Sequence, residues 1–304
     1  MTLRLHGLVA ATHTPFTAEG ALNLDAVEKQ AAHLLHYGVN MVFIGGSTGE
    51  SHSLSVEERL ALAKRWSQVA RGTALRVIVH VGSNCLTDAR TLAAQAQTVG
   101  AVAVAALAPS YFKPKTLDAL IACCAEIASA ASTLPFYFYD IPVLTGVQFS
   151  MPEFLAAAPE RVPTLAGIKF TNSDLMAYQR CLRAEDGRFD IPWGTDETLL
   201  AALAVGAAGA VGSSYNFAAP IYLRLMDAFT RGDLAAAREA QYRSVQLIEL
   251  LASFGYLGAS KALMGMLGVD VGPVRLPNTP LSPEQQEKLR TRLESLGFWD
   301  WIAP

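Results

Sequence analysis

The segment "MVFIGGSTGESHSLSVEERLALAKRWSQVARGTALRVIVHVG", residues 41–82, decides the fold. It opens on a short apolar run and breaks at Gly45-Gly46. It then changes to a helical spacing of apolar residues and ends on a second apolar run, "RVIVHVG". Short apolar runs rich in β-branched residues read as buried strands, and the longer 3.6-residue pattern between them reads as an amphipathic helix. Ser55 followed by Glu58 is a capping box at the helix start. Gly72 stands where a helix C-cap is expected. Strand, helix, strand in this order is the unit of a parallel sheet.

The unit recurs along the chain. The remaining apolar runs are "GLVAATHTPF", "AVAVAALAP", "PFYFYDIP", "LAGIKFT", "FDIPWGTD" and "GAVGSSYN". Helical patterns such as "NLDAVEKQAAHLLHYG" lie between runs, with Ser150–Glu153 as a further capping box and Gly38 and Gly100 at C-cap positions. Eight strands alternating with helices predict an α/β chain folded as a closed (β/α)8 TIM barrel, with an open doubly wound sheet as the alternative. The barrel is expected over residues 1–220 and to carry the site. Residues 221–304 are helical by pattern, with Ser282, Pro283 and Gln285 opening the last helix. They predict a C-terminal helical extension packed on the barrel, because no low-complexity linker intervenes.

At 304 residues, 51% hydrophobic and 17% charged, the chain has ample material for a large core. A net charge of −3 leaves no basic footprint for nucleic acid or an anionic membrane. The first residues, "MTLRLHGLVAATHTPF", lack the apolar core of a signal peptide, and no apolar run reaches the length of a membrane span. Cys85, Cys123, Cys124 and Cys181 form no C-x-x-C pair and read as reduced thiols of a cytoplasmic protein. The histidines include no H-E-x-x-H pair; His33 and His36, three apart, read as a helix cap and a surface group. No metal and no organic cofactor is expected.

In a barrel, functional groups gather at the C-terminal ends of strands. Those ends hold Thr12 and Thr14, the turn "GGSTGE" (45–50), Tyr137, Tyr139 and Asp140, Lys169 and Thr171, Gly194, Asp196 and Glu197, and Ser213, Ser214 and Tyr215. Hydroxyls, carboxylates and one amine suit a polar, hydroxylated small molecule. The "GGSTGE" turn has Glu50 where a Walker loop needs lysine, and it lacks G-x-G-x-x-G spacing. It reads either as a carboxylate cradle of backbone N–H groups with Ser47 and Thr48, or as a plain strand-to-helix turn.

Lys169 lies inside the apolar run "LAGIKFT", residues 165–171. Burying an unpartnered ammonium is unfavourable. Either this is an edge strand, or the side chain snorkels so that its head reaches water, or the amine is a nucleophile. Among the lysines only Lys169 falls in a barrel strand; Lys261, in "GASKALMGM", sits on an outer helix where snorkelling is easy. A lysine in a low-dielectric pocket loses its proton more readily, and the free amine attacks a ketone to form a Schiff base. The protonated imine then acts as an electron sink for carbon–carbon cleavage. Tyr137 and Tyr139, one strand earlier, share a face by period-two alternation and offer a phenol for proton transfer.

The pieces "GLVAATHTPF", "GGSTGESHSLSVEER", "LPFYFYDIPVLTGV", "GIKFT", "GTDETLLAALAVGAAGAVGSSYN" and "VGPVRLP" stand in order over nearly the whole chain. In these the sequence resembles the class I aldolase superfamily of N-acetylneuraminate lyase and dihydrodipicolinate synthase, and most closely its lyase branch. The resemblance implies Schiff-base cleavage of a sialic acid, N-acetylneuraminate, to N-acetylmannosamine and pyruvate, reversibly, with a place in carbohydrate metabolism. It implies Lys169 as the Schiff-base lysine and Tyr139 as the proton-transfer group. Ser47 and Thr48 would bind the pyruvyl carboxylate and join the relay. Thr171, Gly194, Asp196, Glu197 and Ser213 would hold the polyhydroxylated tail. Tyr111 would be donated to the site of a neighbouring subunit of a homotetramer. Dihydrodipicolinate synthases carry an arginine where this chain has Leu144, which speaks against that activity. Asp140 stands where relatives often have asparagine or histidine, beside the reactive centre. Two other readings keep most of these residues: an aldolase or dehydratase for another 2-keto-3-deoxy sugar acid, and a catalytically inactive pyruvate- or sugar-acid-binding protein.

Overall fold

A computed structural model describes residues 3–303. Seven strands are formed: β1 (Gly7–Ala11), β2 (Met41–Ile44), β3 (Arg76–His80), β4 (Ala103–Leu107), β5 (Phe136–Asp140), β6 (Leu165–Phe170) and β7 (Gly209–Gly212). Neighbours pair in parallel in the order β6-β5-β4-β3-β2-β1-β7.

The seventh of the eight apolar runs closes this ring without forming a regular strand. Asp190 and Trp193 make isolated parallel bridges to β6, and Trp193 makes another to β7. The bonds alternate sides: Ile168 N–H donates to Asp190 O, Phe170 N–H to Pro192 O, Trp193 N–H to Gly209 O and Val211 N–H to Trp193 O. Pro192 has no N–H to give, so the ladder is interrupted there. Gly167 has the space for this approach, since a Cβ on it would lie 1.7 Å from Asp190 O. The result is the expected (β/α)8 barrel.

Both faces of the sheet are covered, as the near-continuous apolar strands require. Val9, Phe43, Ile78, Ala105, Tyr137 and Val211 are among the side chains that fill the barrel interior. Val42, Val79, Ala106, Phe138, Ile168 and Ala210 face the surrounding helices. Helix Val56–Ala70 shows why these helices form where they do. It has the full Ser55–Glu58 capping box and buries Arg59, Leu62, Ala63 and Trp66, a single stripe at helical spacing. Ser282 and Gln285 make the second full box, whereas Ser150 only accepts from Glu153 N–H. Of the pair read as a cap and a surface group, His33 places Nε2 2.9 Å from Asn216 O.

Helix Ala219–Thr230 follows β7, and the expected division after residue 220 falls in its first turn. Helices Leu234–Ser253, Tyr256–Met266 and Pro283–Leu296 come after it. Among the described residues no single helix is long and apolar enough to cross a membrane.

Candidate active site

Strand alternation aims β5 and β6 at the same point. Tyr139 pairs with Lys169 in register, and both project into the barrel. Lys169 is 4% exposed. Its Nζ lies 3.8 Å from the Tyr139 ring centroid and 4.5 Å from that of Phe43. No ion pair joins it to a carboxylate among the described residues. The edge-strand reading of Lys169 is therefore overturned: the amine is inside the barrel mouth, against π faces. Tyr137 shares the inward face of Tyr139 but sits one pleat lower. Its hydroxyl donates to Asp190 Oδ2 at 2.9 Å and lies 3.2 Å from Leu3 O. Burial, and then the Asp190 carboxylate, push this phenol well above the usual tyrosine range.

Asp140 faces the other way. It pairs with Phe170 on the outer side of the sheet, and Asn172 Nδ2 donates to its Oδ2 at 3.2 Å. Burial pushes this carboxyl up to about 6, against the Asn172 hydrogen bond. It does not line the cavity beside Lys169.

The turn after β2 brings Ser47 Oγ within 3.4 Å of Tyr139 Oη. Gly45 at φ +63 and Glu50 at φ +55 bend it. Glu50 N–H donates to Ser47 O, Ser51 N–H to Gly46 O, and Thr14 Oγ1 to Gly49 O at 2.6 Å. His80 supports the turn from below. Its Nδ1 is 2.9 Å from Gly45 O, so that nitrogen carries the proton, and Nε2 accepts from Leu107 N–H at 3.4 Å. Burial, with Arg59 nearby, holds this imidazole well below its ordinary value, which matches the neutral tautomer these bonds require.

A cavity of about 480 Å³ opens above Lys169. Of the residues expected at the site, Thr48, Tyr139, Lys169, Thr171, Gly194, Asp196, Glu197 and Ser213 line it together. Ser47 lines an adjoining cavity with Leu144, and its contact with Tyr139 links the two spaces. Thr171 Oγ1 is buried with no partner among the described residues, and a Cβ on Gly194 would lie 1.9 Å from it. That glycine leaves the hydroxyl its space.

The carboxylates differ. Asp196 Oδ2 accepts from Ser214 N–H at 2.9 Å and from Ser214 Oγ; Ser214 Oγ in turn reaches Tyr222 Oη at 2.6 Å. Gly212 allows this, because a Cβ there would lie 1.7 Å from Asp196 Oδ1. Glu197 lines the cavity without such an anchor, and burial, then Asp196, raise its carboxyl.

The chain matches the model of the dihydrodipicolinate synthetase family over residues 4–296. It belongs to that family. The N-acetylneuraminate lyase of Gallus gallus is 39% identical, over 98% of each chain. The solved N-acetylneuraminate lyase (sialic acid aldolase) of Aliivibrio salmonicida superposes with a TM-score of 0.94 at 42% identity, covering 97% of this chain and 98% of that one. A catalytic lysine mutant of Ruminococcus gnavus sialic acid aldolase gives 0.92 at 27% identity, over 98% of both chains.

Within this dihydrodipicolinate synthetase family fold, two positions stand apart from the cavity. Tyr111 is 79% exposed, edge-on to the exposed Phe112, and its backbone N–H donates to Asn84. Leu144 is also exposed and brings no cation to the space beside Ser47.

Two groups escaped sequence reasoning. Tyr256 reaches the cavity from helix Tyr256–Met266, its hydroxyl 2.7 Å from Ser213 Oγ. Gly255 before it, which takes φ +84, was a local sign of a turn there. Lys261, expected to snorkel, is instead 3% exposed and ion-paired with Glu50. Burial lowers its amine to about 8, with Glu50 opposing.

Proposed function

We propose that this chain is a class I aldolase that cleaves N-acetylneuraminate reversibly to N-acetylmannosamine and pyruvate. One observation carries the reading: a buried amine, Lys169 Nζ, lies against the Tyr139 ring, and the Tyr139 hydroxyl is within reach of Ser47. The amine attacks the C2 ketone and water leaves, forming an imine. Its protonated form draws in the electron pair of the bond that breaks. Tyr139, relayed through Ser47, takes the proton from the adjacent substrate hydroxyl, which becomes the aldehyde. Protonation of the enamine and hydrolysis release pyruvate and restore the lysine. The N–H groups and hydroxyls of Ser47 and Thr48 hold the pyruvyl carboxylate. Thr171, Gly194, Glu197 and Ser213 receive the tail, with Asp196 shaping that wall. No organic cofactor enters these steps.

Borohydride reduction with pyruvate should add a pyruvate-derived mass to the peptide containing "GIKFT", and Lys169→Arg should abolish both label and turnover, since a guanidinium stays protonated. A label on Lys261, or none, refutes the reading. The commitment of Asp196 Oδ2 to Ser214 favours a second reading, a shorter 2-keto-3-deoxy sugar acid, because one fewer carboxylate oxygen is free for a long polyol. Pyruvate release measured across a substrate panel separates the two.

We also infer a homotetramer in the cytoplasm, in which Tyr111 completes a neighbour's site. The exposed apolar side chains Tyr111, Phe112, Val143 and Leu144 support the assembly, and the four free cysteines support the reducing compartment. We read residues 1–220 as the barrel and 221–304 as an extension packed on it, since Tyr256 and Lys261 reach the barrel mouth.

A further inference from the structure

The charged cluster behind the Ser47–Thr48 turn is not used by the chemistry above. Glu50 takes a left-handed backbone, φ +55, which is unfavourable for a side chain other than glycine. Its carboxylate is fully buried. Oε1 lies 2.8 Å from Lys261 Nζ as an ion pair, and Oε2 accepts from Arg275 N–H at 2.8 Å. Lys261 also donates to Thr14 O and Pro273 O, both at 2.8 Å, so two hydrogen bonds and the ion pair hold the ammonium. Thr14 also touches the turn, through Gly49 O. The Arg275 guanidinium grips Glu58, the capping residue of the helix that follows the turn, and the carbonyls of Gly20 and Ser53.

A buried ion pair is a weak source of net stability, because desolvation offsets the attraction; a packed apolar pair serves stability as well or better. What the charged pair adds is direction. A carboxylate ion-paired through Oε1 and hydrogen-bonded through Oε2, facing an ammonium tied to two carbonyls, leaves Glu50 one position. Glu50 is two residues from Thr48 and closes the turn through its N–H to Ser47 O.

We propose that Lys261 of the C-terminal extension, acting through Glu50 with the backbone N–H of Arg275, is a positioning residue that sets the Ser47–Thr48 turn for the substrate's carboxylate. This rests on the aldolase reading. The extension thereby completes the carboxylate pocket of the barrel it packs on.

The test is the pyruvate concentration that half-saturates borohydride labelling of Lys169, measured with the full chain. Lys261→Met and Glu50→Gln each unbalance the pair; the double variant removes both charges. All three should need about tenfold more pyruvate. Melting temperature should fall in the single variants and recover in the double variant, because no lone buried charge remains. Pyruvate demand that recovers together with melting temperature, or never changes, overturns the positioning role while leaving the aldolase intact. If a single variant does not fold, the double variant alone decides between these outcomes. Absence of label in the wild type overturns the aldolase reading and the proposal with it.

Discussion

Asp140→Asn should stabilise the protein at neutral pH and lose that advantage in acid. The carboxyl sits behind β5, away from the cavity, with the Asn172 amide as its hydrogen-bond donor. Burial raises its pKa from 3.8 to about 6. At 1.36 kcal/mol for each pH unit between those values, the folded protein disfavours the ionised form by roughly 3 kcal/mol. The sign follows from linkage. A carboxyl whose folded value is raised supports folding below about pH 4, and that support is lost as pH rises through about 6. Asparagine does not titrate and still offers an oxygen to Asn172. The difference in unfolding free energy, variant minus wild type, should therefore climb by roughly 2–3 kcal/mol between pH 4 and pH 7 and level off above that. Urea unfolding at a series of pH values, followed by tryptophan fluorescence, measures it. A difference flat across this range, or one that grows towards acid, would refute the claim that burial outweighs the Asn172 bond.

Tyr139→Phe should lower turnover by about 10²–10⁴, the range for a lost acid–base group, with little change in melting temperature. Tyr137→Phe should do the reverse: near-normal turnover and a stability loss of roughly 1–3 kcal/mol, because Asp190 loses a donor in a buried site. Equal turnover losses at both positions would show that the acting tyrosine is misassigned. Glu197→Gln should weaken use of N-acetylneuraminate more than of a six-carbon 2-keto-3-deoxy acid, read from pyruvate release with a lactate dehydrogenase couple; equal effects would remove Glu197 from tail binding.

Most of the barrel was legible in the chain because the signals that make it are local. An apolar run of strand length, a glycine at the turn and a Ser–Glu box each act within a few residues, and their repetition leaves little choice of topology. Lys169 was legible for the same reason: a lone amine in a strand-length apolar run is a conflict that any reader of residues 165–171 meets. The irregular seventh strand was only half legible. Its run "FDIPWGTD" reads as a strand like the others; that Pro192 breaks the ladder and Trp193 bonds to both neighbours depends on where β6 and β7 stand.

By itself, then, the sequence determined the alternation of strands and helices, the parallel barrel and the strand ends where polar groups collect, since periodicity and turn chemistry are properties of neighbouring residues. Only the tertiary structure decided which of those groups meet. It separated Tyr139, over Lys169, from Tyr137, one pleat below and bonded to Asp190. It turned Asp140 out of the cavity and tied Asp196 to Ser214 while Glu197 stayed free of that anchor. It brought Tyr256 to Ser213, and it buried Lys261 against Glu50 with its amine on a carbonyl 247 residues away. Such pairings join residues far apart in the chain. Their geometry exists only once the barrel has closed and the helices after it have packed down, so no local pattern records them.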